Sequence, residues 1–249
     1  MRPVGAVELR RARSAGQVAR MSEHLDLAVD GVTLALRVWP GADPSRPAAV
    51  LLPATGETAE DWDVVAAALQ PARTVYAVSL RGHGASAWPG SYSIASMADD
   101  VMGFLPRLGD GPVDLVGHSL GGLVACLVAA EHPELVRRLV LEDVGVPHAR
   151  PAAPPSRPDG ELAFDWHVVE QVRPEIDDPD PRWRDVVARI AVPTLVIAGG
   201  PSSPVPQEHI AELVAALPDG RMVTVDAGHL VHETCPDEFG RHLLAFLDA

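Results

Sequence analysis

Apolar and polar residues alternate along two short stretches near the start of the chain, residues 25–29 and 32–39. Alternation with a period of two is typical of a strand that buries one face and exposes the other. The dipeptide Asp30-Gly31 separates the two stretches, and this pair favours the tight turn of a β-hairpin. The pattern therefore predicts two antiparallel strands.

Further along, short and wholly apolar runs are separated by stretches with helical periodicity. Such runs are typical of parallel strands that helices cover on both faces. The predicted strands are 48–52, 74–78, 113–116, 139–141, 194–198 and 221–225, and the predicted helices include 60–70, 94–108, 207–217 and 237–248. Their alternation indicates right-handed β-α-β crossovers. We expect an α/β fold, a mostly parallel doubly wound sheet of about eight strands with helices on both faces and a small helical cap.

The alternation is interrupted between residues 145 and 189, where proline and alanine are frequent. Two short helices are predicted there, at 164–172 and 183–190. Because open α/β sheets place their sites at the carboxyl ends of the strands, we interpret 145–189 as a cap over that edge, inserted into a core of 23–144 and 190–249. Residues 1–22 are arginine-rich without an apolar run, which predicts a disordered extension, with Met21 as the alternative to Met1 as the start.

Charge and composition narrow the partners and the compartment. The 249-residue chain carries 20 basic residues, all arginine, against 34 acidic ones, so its formal net charge is −14. An acidic surface argues against nucleic acid and anionic membranes as partners, and no run approaches the roughly 18 apolar residues of a membrane span. Two cysteines, Cys126 and Cys235, predict free thiols and a cytoplasmic location. The oligomeric state stays open.

One predicted strand-to-helix junction carries a candidate nucleophile. The apolar run 113–116 leads into a Gly-x-Ser-x-Gly turn centred on Ser119, and a helix that ends near residue 131 follows. So abrupt a turn strains the backbone of its central residue and exposes that side chain, while Gly117, Gly121 and Gly122 let strand and helix approach closely. The motif alone is frequent by chance, so a nucleophilic serine also needs a base, an acid and an oxyanion hole.

The candidate base is His229, one of ten histidines in the chain. It follows the last predicted strand directly, which places it at the same sheet edge as Ser119 and in a position to accept the serine proton. His232 is the alternative base. His83 and His118 lie near the site in sequence terms, but no proton-transfer role follows from their positions.

Three motifs together resemble the α/β-hydrolase family from about residue 23 to the end of the chain. Gly-His-Ser-Leu-Gly-Gly at 117–122 resembles its nucleophile elbow, Arg-Gly-His-Gly-Ala-Ser at 81–86 resembles its Arg-Gly-x-Gly-x-Ser loop, and Ala-Gly-His at 227–229 resembles its histidine loop. Each lies at the expected strand-to-loop junction and in the family's order. The resemblance implies a hydrolase with Ser119 as nucleophile and His229 as base. No metal or organic cofactor is expected, because His229 and His232 lie three residues apart in the sequence without another metal ligand beside them.

The catalytic acid departs from the family's usual place. The family commonly carries it after the strand that here is 194–198, yet residues 199–207 contain no carboxylate. Some members, notably among the dehalogenase-like branch, take the acid from the end of the preceding core strand, where this chain has Glu142 and Asp143. Strand alternation sends these two side chains to opposite sides, so one is expected to reach His229. The Glu-x-x-x-x-Pro segment at 142–147 resembles those members in register, and this resemblance implies Glu142 as the acid, with Asp143 as second choice and a Ser–His dyad as the remaining alternative.

The loop that supplies the oxyanion hole also differs. The family commonly has His-Gly before the donor residue, whereas this chain reads Pro-Ala-Thr-Gly at 53–56. Backbone amides suffice for this role, and a proline at position 53 leaves those of Ala54 and Thr55. By resemblance, the amides of Leu120 and Thr55 form the hole. A purely structural loop is the alternative.

These features predict a serine hydrolase that cleaves a small-molecule carboxylic ester or related acyl bond through an acyl-enzyme. Carbon–carbon bond hydrolysis with the same residues, and a non-catalytic protein that binds a small molecule, are the alternatives. Phe164 and Trp166 of the predicted cap are candidates for lining the acyl site, although core packing is the other use of such side chains.

Overall fold

The computed structural model describes residues 22–109, 111–152 and 155–249. The predicted extension and both possible start residues therefore lie outside the described residues, apart from Ser22. Within the described ranges, eight strands form one sheet in the order β1-β2-β4-β3-β5-β6-β7-β8. The strands are β1 Glu23–Val29, β2 Val32–Trp39, β3 Ala49–Leu52, β4 Val75–Val78, β5 Val113–His118, β6 Val136–Glu142, β7 Thr194–Ala198 and β8 Gly220–Thr224.

The hairpin at the edge of the sheet forms as predicted. Val29 faces Val32 across a two-residue turn, and both turn residues have positive φ angles, 44° at Asp30 and 89° at Gly31. Such angles are tolerated by aspartate and favoured by glycine, and they match the twist of the two strands. Strand β2 pairs antiparallel with β4, and the remaining neighbours pair in parallel.

Helices cover both faces of the sheet, as the wholly apolar strands predict. Alternate residues of β3 belong to two separate hydrophobic cores, with Val50 and Leu52 in one and Ala49 and Leu51 in the other. The first core contains side chains of α2 to α6, and the second contains side chains of α1, α7 and α8. The helices are α1 Asp63–Leu69, α2 Ile94–Phe104, α3 Leu120–Glu131, α4 His167–Asp177, α5 Trp183–Ala188, α6 Gln207–Ala216, α7 Val231–Thr234 and α8 Pro236–Leu247. The doubly wound α/β architecture is confirmed.

Several element boundaries differ from the sequence prediction. The helix expected over 60–70 begins as a 3₁₀ turn, Ala59–Trp62, before α1, and the first cap helix starts three residues later than expected and runs to Asp177. The short helix α7 was not predicted, and it begins two residues after His229. Four residues of helix are too few to produce a periodic hydrophobic pattern, which explains the omission.

The insertion between β6 and β7 is attached to the loop after β4. Phe164 forms an isolated bridge with His83, the Gly84 amide donates to the Ala163 carbonyl, and the Asp165 amide donates to the Gly82 carbonyl. Backbone hydrogen bonds of this kind fix the start of the insertion against the core. No helix within the described ranges is both long enough and apolar enough to cross a membrane.

Candidate active site

Ser119 lies at a strained turn between β5 and α3. Its φ and ψ are 50° and −113°, and a positive φ is uncommon for a residue with a side chain. The turn depends on close backbone approach: a Cβ at Gly117 would lie 2.4 Å from the Gly121 carbonyl oxygen, and one at Gly121 would lie 2.4 Å from that of Leu52. Ser119 itself is only partly buried. The predicted strained serine and its flanking glycines are therefore present.

The carboxylate beside His229 belongs to Asp143. The Nδ1 atom of His229 lies 2.6 Å from Asp143 Oδ2, and the Asp143 carboxylate is fully buried. Asp143 follows the last residue of β6 and has a φ of 50°. Aspartate tolerates this left-handed conformation better than most residues do, and the turn directs its side chain toward the histidine loop.

The preference for Glu142 at this position is wrong in geometry. Glu142 points to the other side of the strand, where its Oε1 accepts the His232 amide at 2.8 Å and both carboxylate oxygens lie 2.9 Å from His232 Nδ1. The prediction that the two side chains diverge is confirmed, but the residue that faces His229 is Asp143 and not Glu142. His232, the alternative base, is buried against Trp62 with a centroid separation of 4.4 Å, so it is paired with Glu142 rather than with Asp143.

His229 follows β8 in a loop that lies against the nucleophile turn. His118, the residue before Ser119, donates from Nε2 to the His229 carbonyl at 2.9 Å, and the two imidazole centroids are 4.7 Å apart. Close approach of the histidine loop to the core occurs at Gly199, where a Cβ would lie 2.0 Å from the Gly228 carbonyl oxygen. Gly228 instead provides a positive φ of 77° just before His229.

The loop after β7, which lacks a carboxylate, supports Asp143 instead. The Gly199 amide donates to Asp143 Oδ1 at 2.8 Å, and the Ser203 hydroxyl donates to Asp143 Oδ2. Asp143 therefore accepts hydrogen bonds from Gly199, Ser203 and His229. Charge-assisted hydrogen bonds of this kind fix the orientation of a buried carboxylate.

The loop after β3 contains Thr55, one of the two residues predicted to donate to the oxyanion. The Pro53 carbonyl accepts from the Gly121 amide at 3.1 Å, and the Ala54 amide donates to Glu57 Oε2 at 2.9 Å. The Ala54 amide is thus used within the loop, so of the two amides at positions 54 and 55 that of the exposed residue Thr55 stays the candidate donor. Leu120 is the first residue of α3, so its amide belongs to the free donors of a helix N-terminus.

His118 is fully buried between three elements, and both of its ring nitrogens face hydrogen-bond acceptors. Its Nδ1 lies 3.0 Å from Glu57 Oε2, while its Nε2 contacts a carbonyl that can only accept. Burial by itself would lower the pKa of His118, but the charge of Glu142 and the hydrogen bond and charge of Glu57 outweigh it and raise the pKa to about 9. Correspondingly, burial would raise the pKa of Glu57, but the hydrogen bond from His118 and its charge hold that pKa below the usual value.

His118, Glu142 and His232 bring three potential metal-ligand atoms within 4.8 Å of one another. Metal binding requires a free nitrogen lone pair on each histidine. Both nitrogens of His118 face protein partners, and Nδ1 of His232 is paired with Glu142. The donor set therefore forms a hydrogen-bonded ionic network that does not suit a metal ion.

Phe164 and Trp166, the candidate substrate-binding residues, lie together at the start of the insertion with centroids 6.2 Å apart. Phe164 stacks on His83 at 5.7 Å and packs on Gly56, where a Cβ would lie 3.1 Å from the Phe164 ring. Phe164 thus contacts the residue next to Thr55. Its role in binding substrate stays a prediction.

Sequence reasoning missed three residues of the site: Glu57, His118 and Ser203. His118 precedes Ser119 directly, but its hydrogen-bond partners are 61 and 111 residues away along the chain, so no local pattern indicates its contacts. The signal that could have selected Asp143 is the left-handed backbone that follows a strand end, which aspartate tolerates and glutamate rarely adopts.

Comparisons with known proteins agree with this fold. A family model described as alpha/beta hydrolase fold matches residues 47–167. The enol-lactonase from Burkholderia xenovorans LB400 has a similar structure, with a TM-score of 0.80 at 24% identity over 90% of this chain and 100% of that one. Together these similarities show that the chain has the α/β-hydrolase fold.

Relatives in sequence carry hydrolase names. The chain is 27% identical to the sn-1-specific diacylglycerol lipase ABHD11 of Mus musculus over 82% of each protein. It is 29% identical to a putative carbamate hydrolase RutD of Pseudomonas savastanoi over 82% of this chain and 94% of that protein. Esterase Rv0045c of Mycobacterium tuberculosis is 43% identical, but over 46% of this chain and 37% of its own length. Together these relatives identify the chain as a hydrolase.

Proposed function

We propose that the protein is a serine hydrolase that cleaves small-molecule carboxylic esters with Ser119 as nucleophile, His229 as base and Asp143 as acid. The observation that carries this proposal is the 2.6 Å contact between His229 Nδ1 and Asp143 Oδ2. A buried carboxylate at Nδ1 fixes the tautomer in which Nε2 is free to accept a proton. The strained, partly exposed Ser119 at the adjoining turn is the residue whose hydroxyl proton such a base would take.

In the proposed reaction, Ser119 Oγ attacks the ester carbonyl carbon while His229 Nε2 takes the hydroxyl proton. The resulting imidazolium is stabilised by Asp143, which stays ionised. Collapse of the tetrahedral intermediate breaks the carbon–oxygen bond, and the alcohol leaves with the proton from His229. Water then attacks the acyl-enzyme, again with His229 as base, and releases the acid and the free serine.

The amides of Leu120 and Thr55 are proposed to bind the oxyanion. The Leu120 amide lies at the N-terminus of α3, where the helix dipole favours negative charge. Two features support Thr55 as the second donor: Pro53 has no amide hydrogen, and the Ala54 amide is bonded to Glu57. Preorganised donors of this kind contribute strongly to transition-state stabilisation in acyl transfer.

The names of the relatives support esters as the substrate class. Diacylglycerol lipase, esterase and lipase are names of proteins with acyl-ester chemistry. We also propose that residues 145–189 act as a cap over the site. Phe164 and Trp166 would line the acyl side, as Phe164 packs on Gly56 next to the proposed oxyanion donor Thr55.

Covalent labelling with a fluorophosphonate probe tests the nucleophile. We expect the wild type and a Ser202→Ala control, altered at an exposed serine, to label, and Ser119→Ala not to label. Hydrolysis of a series of p-nitrophenyl esters of increasing acyl length then tests the substrate class. Absence of labelling in the wild type would favour a non-catalytic binding protein, and turnover of a diketone without ester turnover would favour carbon–carbon bond hydrolysis.

A further inference from the structure

We propose that His118, as an imidazolium, is a positioning residue that ties the oxyanion loop to the histidine loop beneath the proposed active site. This inference rests on the proposed function, because it assigns His118 a role in aligning that site. The position of His118 next to Ser119 in the sequence does not by itself indicate such a role.

The connection consists of three consecutive hydrogen bonds. The Ala54 amide donates to Glu57 Oε2 at 2.9 Å, the same oxygen lies 3.0 Å from His118 Nδ1, and His118 Nε2 donates to the His229 carbonyl at 2.9 Å. This series of hydrogen bonds begins at Ala54, the residue before Thr55, and ends at the backbone carbonyl of His229, the proposed base. His118 lies at the end of β5, next to Ser119, so the three parts of the site share one buried link.

Both hydrogens of the imidazolium are needed for this link. The His229 carbonyl can only accept, so Nε2 must carry a hydrogen, and the ionised Glu57 likewise requires a hydrogen on Nδ1. If His118 lost one proton, a nitrogen lone pair would face either the Glu57 carboxylate or the His229 carbonyl. One of the two loops would then be repelled, because neither acceptor can donate in return.

The groups around His118 favour its charged form. Glu57 faces it from the oxyanion loop, Glu142 from the end of β6, and the rings of His229 and His232 lie 4.7 and 5.3 Å away. Glu142 holds His232 through the backbone amide and Nδ1 and adds negative charge near His118. Glu142, which does not contact His229, therefore also helps to keep His118 protonated.

This arrangement predicts a basic limit to activity. Turnover should fall as pH rises through about 9, the value to which Glu142 and Glu57 raise the pKa of His118 against the effect of burial. The loss should appear in kcat more than in KM, since misplaced oxyanion and base groups weaken transition-state binding selectively. Glu57→Gln removes one opposing charge and should move the basic limit down by about one pH unit or more.

The test combines a titration with a pH profile. The ring ¹⁵N resonances of His118 are followed by NMR in Ser119→Ala and in Ser119→Ala with Glu57→Gln, while kcat against pH is measured for the wild type and Glu57→Gln. We expect the His118 midpoint and the basic limit of kcat to coincide near pH 9 in the parent and to shift down together in Glu57→Gln.

Asp114→Asn is the matched control. Asp114 is a fully buried carboxylate at the opposite end of β5, 2.7 Å from Arg137, so its replacement destabilises the fold without touching the site. We expect an unchanged basic limit in this variant. A His118 that is neutral at pH 7, or a basic limit that Glu57→Gln leaves in place, would overturn the inference even if ester turnover requires Ser119. The titration needs no activity, so a charged His118 in a protein without ester turnover would refute the proposed function alone.

Discussion

Replacing Asp143 by asparagine provides the sharpest test of the proposed site. The amide retains an oxygen for the Gly199 hydrogen bond, so the variant keeps the shape of the buried group. Its NH₂ group would then face His229 Nδ1 and would force that nitrogen to accept, which places the imidazole hydrogen on Nε2. A base with a hydrogen on Nε2 cannot take the serine proton.

The expected loss is large. Removal of the orienting carboxylate from a triad lowers turnover by about four orders of magnitude, which corresponds to roughly 5 kcal/mol in the activation free energy. The assay is steady-state hydrolysis of a short-chain p-nitrophenyl ester near pH 7.5, with kcat and KM determined separately. We expect the decrease in kcat, with KM changed little, because the acid acts on the chemical step.

Glu142→Gln is the matched comparison, because the two residues are adjacent and both are fully buried. Its contacts are with His232, so we expect kcat at pH 7.5 to stay within about tenfold of the wild type and the free energy of unfolding to fall by about 1–3 kcal/mol. The reverse order of the two effects on kcat would refute the geometric assignment. Near-normal kcat in both variants would instead support a Ser–His dyad.

Three further predictions follow from contacts around the site. Ser203→Ala should lower kcat by about tenfold, because Asp143 loses a hydrogen bond that fixes its orientation, and ester kinetics measure this directly. Gly121→Ala should lower the free energy of unfolding by about 2–3 kcal/mol, as its Cβ would lie 2.4 Å from the Leu52 carbonyl oxygen, and urea unfolding checks it. The pKa of His118 is raised from 6.5 to about 9, which should stabilise the fold by about 3 kcal/mol. This stabilisation should be complete below pH 6.5 and should be lost as pH rises through about 9. Urea titrations at several pH values measure it.

The first two of these predictions each have a matched control. Ser202 lies next to Ser203 but bonds to Asp226, so Ser202→Ala should leave kcat unchanged. A Cβ at Gly240, within α8, would meet no atom within 4 Å, so Gly240→Ala should leave stability unchanged or raise it by up to about 1 kcal/mol. Equal losses in a variant and its control would contradict the stated cause.

The sequence by itself determined the architecture and two residues of the proposed site. Short apolar runs indicate buried strands, and the order of strands and helices determines which loops meet at the carboxyl edge of a parallel sheet. Ser119 and His229 could be chosen on that basis, because each follows a strand directly and glycine marks the close approach or the positive φ.

Only the tertiary structure decided which carboxylate faces His229 and which groups His118 contacts. Glu142 and Asp143 are neighbours in sequence, and the choice depends on a single backbone turn, the φ of 50° at Asp143, together with donors from a loop about 60 residues further on. The charge on His118 likewise depends on Glu57, which is 61 residues away along the chain, and on Glu142 of the neighbouring strand β6. Electrostatic and hydrogen-bond partners of this kind are set by three-dimensional proximity, which no local pattern of residues encodes.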